Sequence, residues 1–247
     1  MTRSFSKAKS ILLPLAFLVL APLAAHLLFS PLGFNPTDDG FNLAASRRIA
    51  DGQIPHRDFI TIRPALSPVL HVPVVVLGGE HVYMASRGVV WFQWACIAWI
   101  WSALAGRHGR NAVEKVCIAL VAMAASVQIF PIMSWQTVDG LFLISLGMAL
   151  RTTEKRALER CGWFLIGAAY LCKQNFIFAL PLLLAVTGDW RKAANWLAGL
   201  LPGIAYVVLL WATGAWPDAW LQVTSHQQNF LSVGLHPYWK ALPGVVA

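Results

Sequence analysis

Long apolar runs separated by short polar segments dominate the chain. A helix that crosses a bilayer needs about 20 consecutive, mainly apolar residues, and seven stretches approach that length. They are residues 11–29, 84–105, 113–131, 138–150, 161–172, 176–187 and 195–214. The fourth to the sixth are short, and only Lys173-Gln174-Asn175 separates the fifth from the sixth. This pattern predicts two half-length helices that meet at a polar break, an arrangement that usually lines a cavity.

The segment from residue 30 to residue 83 is the longest early connection between predicted spans. Long connections in compact proteins usually carry function. Within it, residues 41–50 predict a short amphipathic helix in the membrane interface, with Arg47 and Arg48 on its polar side. Residues 65–77 are apolar but too short and too proline-rich to span comfortably, so we expect an interfacial or re-entrant helix there.

The composition favours a chain embedded in lipid. Of the 247 residues, 57% are hydrophobic and 12% are charged, and the mean hydropathy is +0.60. A soluble domain of this size would not stay in solution with that balance. We therefore predict an all-α integral membrane protein with seven transmembrane helices, forming one domain over residues 1–247 and ending in an outer segment at about residues 215–240.

The distribution of charge predicts an orientation. The formal net charge is +8. With a cytoplasmic N-terminus, the inner side carries 12 basic and 4 acidic residues, whereas the outer side carries 7 of each. This asymmetry is the positive-inside pattern of membrane proteins. It argues against a nucleic-acid-binding surface.

Several other patterns exclude common alternatives. The apolar run Ile11 to Phe29 is longer than the core of a signal peptide, which favours an uncleaved membrane anchor. The four cysteines show no CxxC spacing, so neither a disulfide framework nor a zinc site is indicated. No close pair of histidines shares a helix face, which disfavours metal ligation. We expect His26 and His71 to pack in apolar surroundings.

An acidic pair, Asp38-Asp39, follows the first apolar run. Two interpretations of this pair coexist. One carboxylate could cap a helix that starts near Phe41, which would contribute about 1 kcal/mol. The other interpretation is chemistry, because carboxylates on the surface of a membrane protein can act as general bases.

Further polar motifs follow the acidic pair in a fixed order. They are His56-Arg57-Asp58-Phe59, Arg63-Pro64-Ala65-Leu66, Arg87 near the start of the second span, Asp139 at the start of the fourth, and Lys173 in the polar break. This order resembles that of the membrane-embedded GT-C glycosyltransferases, of the family 39 or RgtA/B/C/D-like kind. That group includes protein O-mannosyltransferases and the lipid A aminoarabinose transferase. The resemblance extends over essentially the whole chain.

The resemblance implies transfer of a sugar from a polyprenyl-phosphate donor to a glycan, lipid or protein acceptor at the outer face of the membrane. Such a transfer needs a base for the acceptor hydroxyl and cations for the departing phosphate. The sequence has no nucleotide-binding glycine loop, which fits a lipid-linked donor. The implied location is the bacterial inner or plasma membrane, with a periplasmic or extracellular site.

The resemblance also assigns roles to residues of this chain. Asp38 and Asp39 would be catalytic, with Asp38 as the general base. Arg63 would hold the phosphate, with its planar donor fork suited to that task. The other implied substrate-binding residues are Arg57, Arg87, Asp139 and Lys173. Some relatives depend on a divalent metal ion, so a metal held by carboxylates stays an open alternative.

Two departures from the family pattern are visible. Arg63 stands where relatives have lysine, and Ala65 replaces the second proline of the motif. The sequence ends at Ala247, where relatives continue into further helices. We therefore expect a truncated gene, a fragment or a minimal member.

Other functions and simpler roles stay open from the sequence alone. A transporter or flippase for a lipid-linked sugar would also use intramembrane charge and broken helices, and a non-catalytic accessory subunit is a third alternative. Asp139 could cap its helix, Lys173 could extend to the membrane interface, and Arg63 and Arg87 could bind lipid head groups or pair with Asp58 and Glu80.

Overall fold

The structure is a computed structural model that describes residues 2–33, 38–106, 110–129 and 132–224. Regular structure in these ranges is helical, which confirms the predicted all-α class. The main helices are α1 (Thr2–Phe29), α2 (Asp38–Ala50), α3 (Leu66–Gly78), α4 (Val82–Ala105), α5 (Ala112–Ile129), α6 (Gln136–Arg151), α7 (Arg156–Ala168), α8 (Ala179–Val186) and α9 (Ala193–Ala212). A further helix, α10, covers residues 216–224. The remainder of the predicted last outer segment lies outside the described residues.

Three helical stretches of the described chain are long and apolar enough to cross a membrane. They are Leu12–Phe29, Leu66–Ala105 and Ala193–Ala212. They include the first, second and seventh predicted spans. The structure thus supports a membrane protein in outline, whereas the count of seven spans stays a prediction.

Both helices predicted in the long outer segment are present. The first is α2, and it begins at Asp38, three residues before the predicted start. The proline-rich helix is α3, and a single 3₁₀ turn at Gly79–His81 joins it to α4. Because α3 and α4 are nearly continuous, residues 66–105 form one long apolar stretch.

The predicted polar break is also present. After α7 the chain makes a 3₁₀ turn at Ala169–Leu171, and Lys173 is extended, with φ −153° and ψ 132°. A second 3₁₀ turn, Gln174–Phe178, leads into α8. The chain therefore changes direction at Lys173 instead of continuing as one helix.

Close helix contacts depend on glycine at two crossings. At the α6–α7 crossing, a β-carbon on Gly147 would overlap the carbonyl oxygen of Gly162. At the α7–α9 crossing, one on Gly167 would overlap the carbonyl oxygen of Gly199. Small residues allow this approach of helices, which is how helices in lipid gain packing contacts.

The largest buried cluster joins α4 to its neighbours. Val90, Trp91 and Trp94 of α4 pack against Phe17 of α1 and Met123 of α5. Leucines along the opposite side of α1 are exposed, as expected for a surface that faces lipid.

The two ends of α6 carry different polar clusters. Gln136 at its start bonds to Arg63, and Arg151 at its end bonds to Asp189, with a nitrogen–oxygen distance of 2.8 Å. The helix has 16 residues, or about 24 Å at 1.5 Å per residue. Each end of α6 thus brings together residues that were predicted to lie on the same side of the membrane. Which end faces the cytoplasm stays a prediction.

Candidate functional site

Arg63 and Lys173 converge on the first turn of α6. The Arg63 Nη1 atom donates to Gln136 Oε1 at 2.5 Å, and Lys173 Nζ donates to Thr137 Oγ1 at 2.9 Å. Burial, followed by the positive charge of Arg63, lowers the pKa of Lys173. Two cations held at one place by neutral hydrogen-bond partners form a natural site for an anion.

A hydrogen bond from a side chain to a main-chain oxygen joins the two segments that carry these cations. The Gln174 side chain donates through Nε2 to the carbonyl oxygen of Ile62 at 2.6 Å. Gln174 follows Lys173, and Ile62 precedes Arg63. The extended backbone at Lys173 thus allows the polar break to pair with the outer segment. The substrate-binding roles predicted for Arg63 and Lys173 stay predictions.

His56 anchors the outer segment to the C-terminal part of the described chain. Its ring is buried and contacts α9 through Tyr206 Oη at 2.8 Å and α10 through Gln222 Oε1 at 3.0 Å. The Gln222 Oε1 atom also accepts from the Thr61 amide, at 3.0 Å. That amide can only donate, so His56 Nδ1 carries the proton and His56 Nε2 accepts from the Tyr206 hydroxyl.

His56 is a residue that sequence reasoning did not place at the site. Burial lowers the pKa of His56, which is consistent with a neutral ring. The sequence offered one signal, its position at the head of the Arg57-Asp58-Phe59 motif. Its partners lie 150 and 166 residues further along the chain, so no local pattern could reveal them.

One cavity lies beside the segments that carry Arg63 and Lys173, and a second cavity adjoins it. The first, of about 720 Å³, is bordered by His56, Pro64, Tyr170, Gln174 and Trp220. Pro64 and Gln174 directly follow Arg63 and Lys173, so the cations are next to its wall. The second, of about 420 Å³, is lined mainly by apolar residues and shares Tyr170, Ile177 and Val207 with the first.

Three glycines are among the residues that line the second cavity. They are Gly167 of α7 and Gly199 and Gly203 of α9. Through their shared walls the two cavities form a mainly apolar groove, which runs from Pro64 and Gln174 along α7 and α9. We call this the α7–α9 groove.

Asp38 and Asp39 are the first two residues of α2, and their side chains lie outside the described residues. Carboxylates in the first turn of a helix are favoured by its dipole. A hydrogen bond joins α2 to α3. Asn42 Oδ1 of α2 accepts from the Ser67 hydroxyl of α3 at 3.4 Å. Ser67 comes just after the Arg63 motif, so α2 and that motif are structurally linked. The catalytic role of the acidic pair stays a prediction.

Asp139 is fully buried. Its carboxylate accepts from Ser67 Oγ at 2.5 Å, from Gln93 Nε2 at 2.7 Å and from His71 Nε2 at 3.1 Å. The expectation that His71 packs in apolar surroundings is therefore wrong, because an aspartate is its partner. The alternative of a helix cap is also wrong, since these donors are side chains of other helices. A substrate contact by Asp139 would require them to separate.

Arg87 and Arg57 make structural contacts. Arg87 is buried, and its Nη1 atom donates to the carbonyl oxygens of Ser30 and Leu32 at 2.6 and 2.8 Å. It thus ties the end of α1 to α4. Arg57 is exposed and pairs with Asp58 at 2.9 Å, and this hydrogen bond lowers the pKa of Asp58. The substrate contacts predicted for both arginines stay predictions.

No group of three or more histidine, cysteine, aspartate or glutamate side chains that could hold a metal ion occurs in the described part of the chain. A divalent metal held by carboxylates stays an open alternative.

The fold and the site define a class of protein. It is a helical protein with apolar helices of membrane-spanning length and with two cations near an apolar groove. No family model, curated protein or solved structure matches the chain. The likeness to GT-C enzymes thus rests on the order of its motifs.

Proposed function

We propose that the chain is a membrane-embedded glycosyltransferase that transfers a sugar from a polyprenyl-phosphate donor to an acceptor hydroxyl. The observation that carries the proposal is the pairing of Arg63 and Lys173 beside the α7–α9 groove. A lipid phosphate has the two chemical parts that this site matches. Its phosphate needs cations, and its isoprenoid chain needs an apolar channel.

The cation pair suits a phosphate that gains charge as it departs. Arg63 presents a planar fork of donors, and Lys173 adds a compact charge. Gln136 and Thr137 hold both side chains in place. Donors that are already oriented stabilise developing charge without having to reorganise during the reaction.

The groove suits the isoprenoid chain. Its walls are mainly apolar. Burial of apolar surface contributes about 25 cal/mol per Å², so a chain lying along the groove would add affinity that inorganic phosphate lacks.

The acidic pair supplies the base in this proposal, as the family resemblance implies. Asp38 takes the proton of the acceptor hydroxyl while the acceptor oxygen bonds to the anomeric carbon. The bond between that carbon and the phosphate oxygen breaks, and the electron pair leaves with the phosphate. Direct displacement inverts the anomeric configuration.

Binding of a synthetic polyprenyl phosphate to the protein in nanodiscs tests the donor site. We expect Arg63→Gln and Lys173→Gln each to weaken binding about tenfold or more, since hydrogen bonds to charged groups contribute about 1.5–3 kcal/mol. Arg47→Gln is the matched control, because Arg47 forms an exposed pair with Asp51. Equal binding by all variants would contradict the donor site.

Transfer of a labelled sugar tests the reaction itself. We expect Asp38→Asn to abolish transfer while polyprenyl phosphate still binds, because the substitution removes the base and leaves the cations. Undiminished transfer by Asp38→Asn would refute the assigned base. Movement of a lipid-linked sugar across vesicles without any transfer would instead identify a flippase.

A further inference from the structure

A third cavity lies against the opposite face of α9 from the α7–α9 groove. The helix presents Gly203 and Val207 to the groove, whereas Pro202, Ala205 and Leu209 line the third cavity. Its volume is about 530 Å³, within the range of about 300–1,000 Å³ that ligand sites occupy. Residues of α3 and α7 complete its walls. We call it the α3–α9 cavity, and the proposed transfer reaction makes no use of it.

The walls of the α3–α9 cavity match hydrocarbon. Of the residues that line it in the described chain, only Tyr206 and Thr213 have polar side chains. The Tyr206 hydroxyl bonds to His56 Nε2, and the Thr213 hydroxyl donates to the carbonyl oxygen of Leu209. An ordered water needs about two to four polar partners, and these walls do not supply them. An apolar chain therefore fits this space better than water does.

The cavity opens at the apolar surface of the helices. Val69 of α3, Phe164 of α7 and Leu209 of α9 line it and are exposed. Along α9 it extends from Pro202 to Thr213, or about 17 Å at 1.5 Å per residue. One leaflet of the hydrocarbon core of a bilayer is about 15 Å deep. The cavity is thus as long as one leaflet is deep, which is the space that the acyl chain of a membrane lipid occupies.

A positive group lies at the Thr213 end of the cavity. The Arg57 Nη1 atom donates to the carbonyl oxygen of Thr213 at 3.2 Å, and its Nε and Nη2 atoms donate to Asp58 at 2.9 and 3.1 Å. A guanidinium group has more N–H donors than these three bonds use. Among the described residues, the remaining donors of Arg57 have no partner, so they can bond to a phosphate oxygen.

A second arginine adds positive charge near the same end. The Arg48 guanidinium lies 5.5 Å from the centre of the Phe59 ring, and a backbone bridge joins Phe59 to Pro55, which borders the cavity. Residues 47–58 contain three arginines and two aspartates. Arg48 is the arginine that pairs with neither aspartate in the described structure. The segment that borders the polar end of the cavity is therefore net positive.

We propose that the α3–α9 cavity binds an anionic phospholipid. One acyl chain lies along α9 from Thr213 toward Pro202, and Arg57 binds the phosphate group. The positive charge of Arg48 favours an anionic head group over a zwitterionic one. The bound phospholipid is neither the donor nor the acceptor of a sugar, so the inference is independent of the proposed transfer reaction.

Retention of lipid by the purified protein tests the head-group preference. The protein is reconstituted with equal amounts of phosphatidylglycerol and phosphatidylcholine and washed in detergent, and its bound lipids are counted by native mass spectrometry. We expect the unaltered protein to retain phosphatidylglycerol preferentially, and Arg57→Gln to lose about tenfold of that preference, because hydrogen bonds to a charged phosphate are lost. Equal retention of the two lipids by the unaltered protein would overturn the proposal.

Arg191→Gln is the matched control for charge. Arg191 is exposed, and it belongs to the turn that also contains Asp189, the partner of Arg151 at the other end of α6. The substitution removes the same charge far from the cavity, so the preference should be unchanged. An equal loss in Arg191→Gln and Arg57→Gln would contradict a site at Arg57.

Filling the cavity tests the acyl-chain site without altering any charge. We expect Ala205→Phe to abolish the retention of phosphatidylglycerol, because Ala205 lines the cavity and is exposed at its opening. Ala212→Phe is the matched control, since Ala212 is exposed on the same helix and is not one of the residues that line the cavity. Equal retention by the two variants would overturn the proposal.

Competition separates this site from the proposed donor site. Tyr206 and Leu210 border both the α3–α9 cavity and the α7–α9 groove, so the two sites are neighbours. We expect the retained phosphatidylglycerol to stay bound when synthetic polyprenyl phosphate is added. Its displacement would overturn the proposal, because the cavity would then belong to the donor site.

Discussion

His56 occupies a backbone conformation that residues with a β-carbon rarely adopt, with φ +70°. Such strain costs about 1–3 kcal/mol and persists where surrounding contacts impose it. Here the contacts are side-chain hydrogen bonds. The Tyr206 hydroxyl donates to Nε2 of the ring, and Nδ1 donates to Gln222. The conformation of the segment that leads to Arg63 therefore depends on partners far along the chain.

Removal of one hydroxyl tests this anchor. We expect Tyr206→Phe to reduce the free energy of unfolding by about 1–3 kcal/mol, because it leaves His56 Nε2 buried without a donor. Chemical unfolding in detergent measures the change. Tyr83→Phe is the control, since its hydroxyl donates to Gly33 on the exposed surface. A loss no larger than that of the control would contradict the anchor.

The same residue predicts a dependence on pH. Burial lowers the pKa of His56, so the unfolded chain takes up the proton more readily than the folded protein does. Stability should be complete above the ordinary histidine pKa, about 6.5, and should fall as the pH decreases from there through the lower folded-state value. Unfolding midpoints measured across this range should show a steeper acid loss in the unaltered protein than in His56→Gln. Parallel curves would show that His56 contributes nothing to the acid sensitivity.

Helices α7 and α9 touch through their backbones at Gly167 and Gly199. A contact of this kind leaves no room for a methyl group, and it sets the spacing of the two helices that border the α7–α9 groove. The same two glycines form the crossing and line the groove.

Gly167→Ala should force α7 and α9 apart and reduce stability by about 1–3 kcal/mol or more, as overpacked cores do. The thermal melting temperature in detergent measures this effect. Gly40→Ala is the matched control, because Gly40 also lies in a helix but has open space around it. That control should be neutral or stabilising by up to about 1 kcal/mol. Similar losses in both variants would exclude the crossing as the cause.

Most helices were predictable from the apolar runs, but their starts were less so. The span predicted at 84–105 is α4, Val82–Ala105, whereas the one predicted at 161–172 belongs to α7, which begins at Arg156. Its first turn is charged, and apolar content detects the part of a helix in lipid, not its polar start. The same limit explains why α2 begins at Asp38 and not at Phe41.

The site was predictable in part, for similar physical reasons. Arg63 and Lys173 are charged residues next to apolar runs, so both stood out in the sequence, and both bond to the first turn of α6. The burial of Asp139 was not predictable, because its three donors come from two other helices. Long-range hydrogen bonds between single side chains leave no periodic signal.

As a whole molecule, the chain has two polar ends. Arg151, Glu159, Asp189 and Lys192 form a network of ion pairs at one end, and the cation pair with its surrounding loops lies at the other end of α6. Neither network crosses the apolar middle. This division fits the orientation predicted from the basic residues, with the ion-pair network in the cytoplasm.

Labelling of single cysteines in intact cells tests that orientation. In a background without the native cysteines, we expect Gln53→Cys to react with a membrane-impermeant maleimide and Lys155→Cys to react only after permeabilisation. Both positions are exposed in the structure, so accessibility within the fold does not bias the comparison. The reverse order of labelling would invert the topology and place the proposed site inside the cell.

The link between His56 and Gln222 has a consequence for biosynthesis. The Gln222 side chain bonds to the His56 carbonyl oxygen and to the Thr61 amide, so the outer segment cannot adopt its final conformation until α10 has been synthesised. Chains grow from the N-terminus at about 5–20 residues per second, and the segment that carries Arg63 must therefore wait for many seconds in an unfinished state. The contacts of His56 and Thr61 with α10 therefore form last, after the earlier helices have been synthesised.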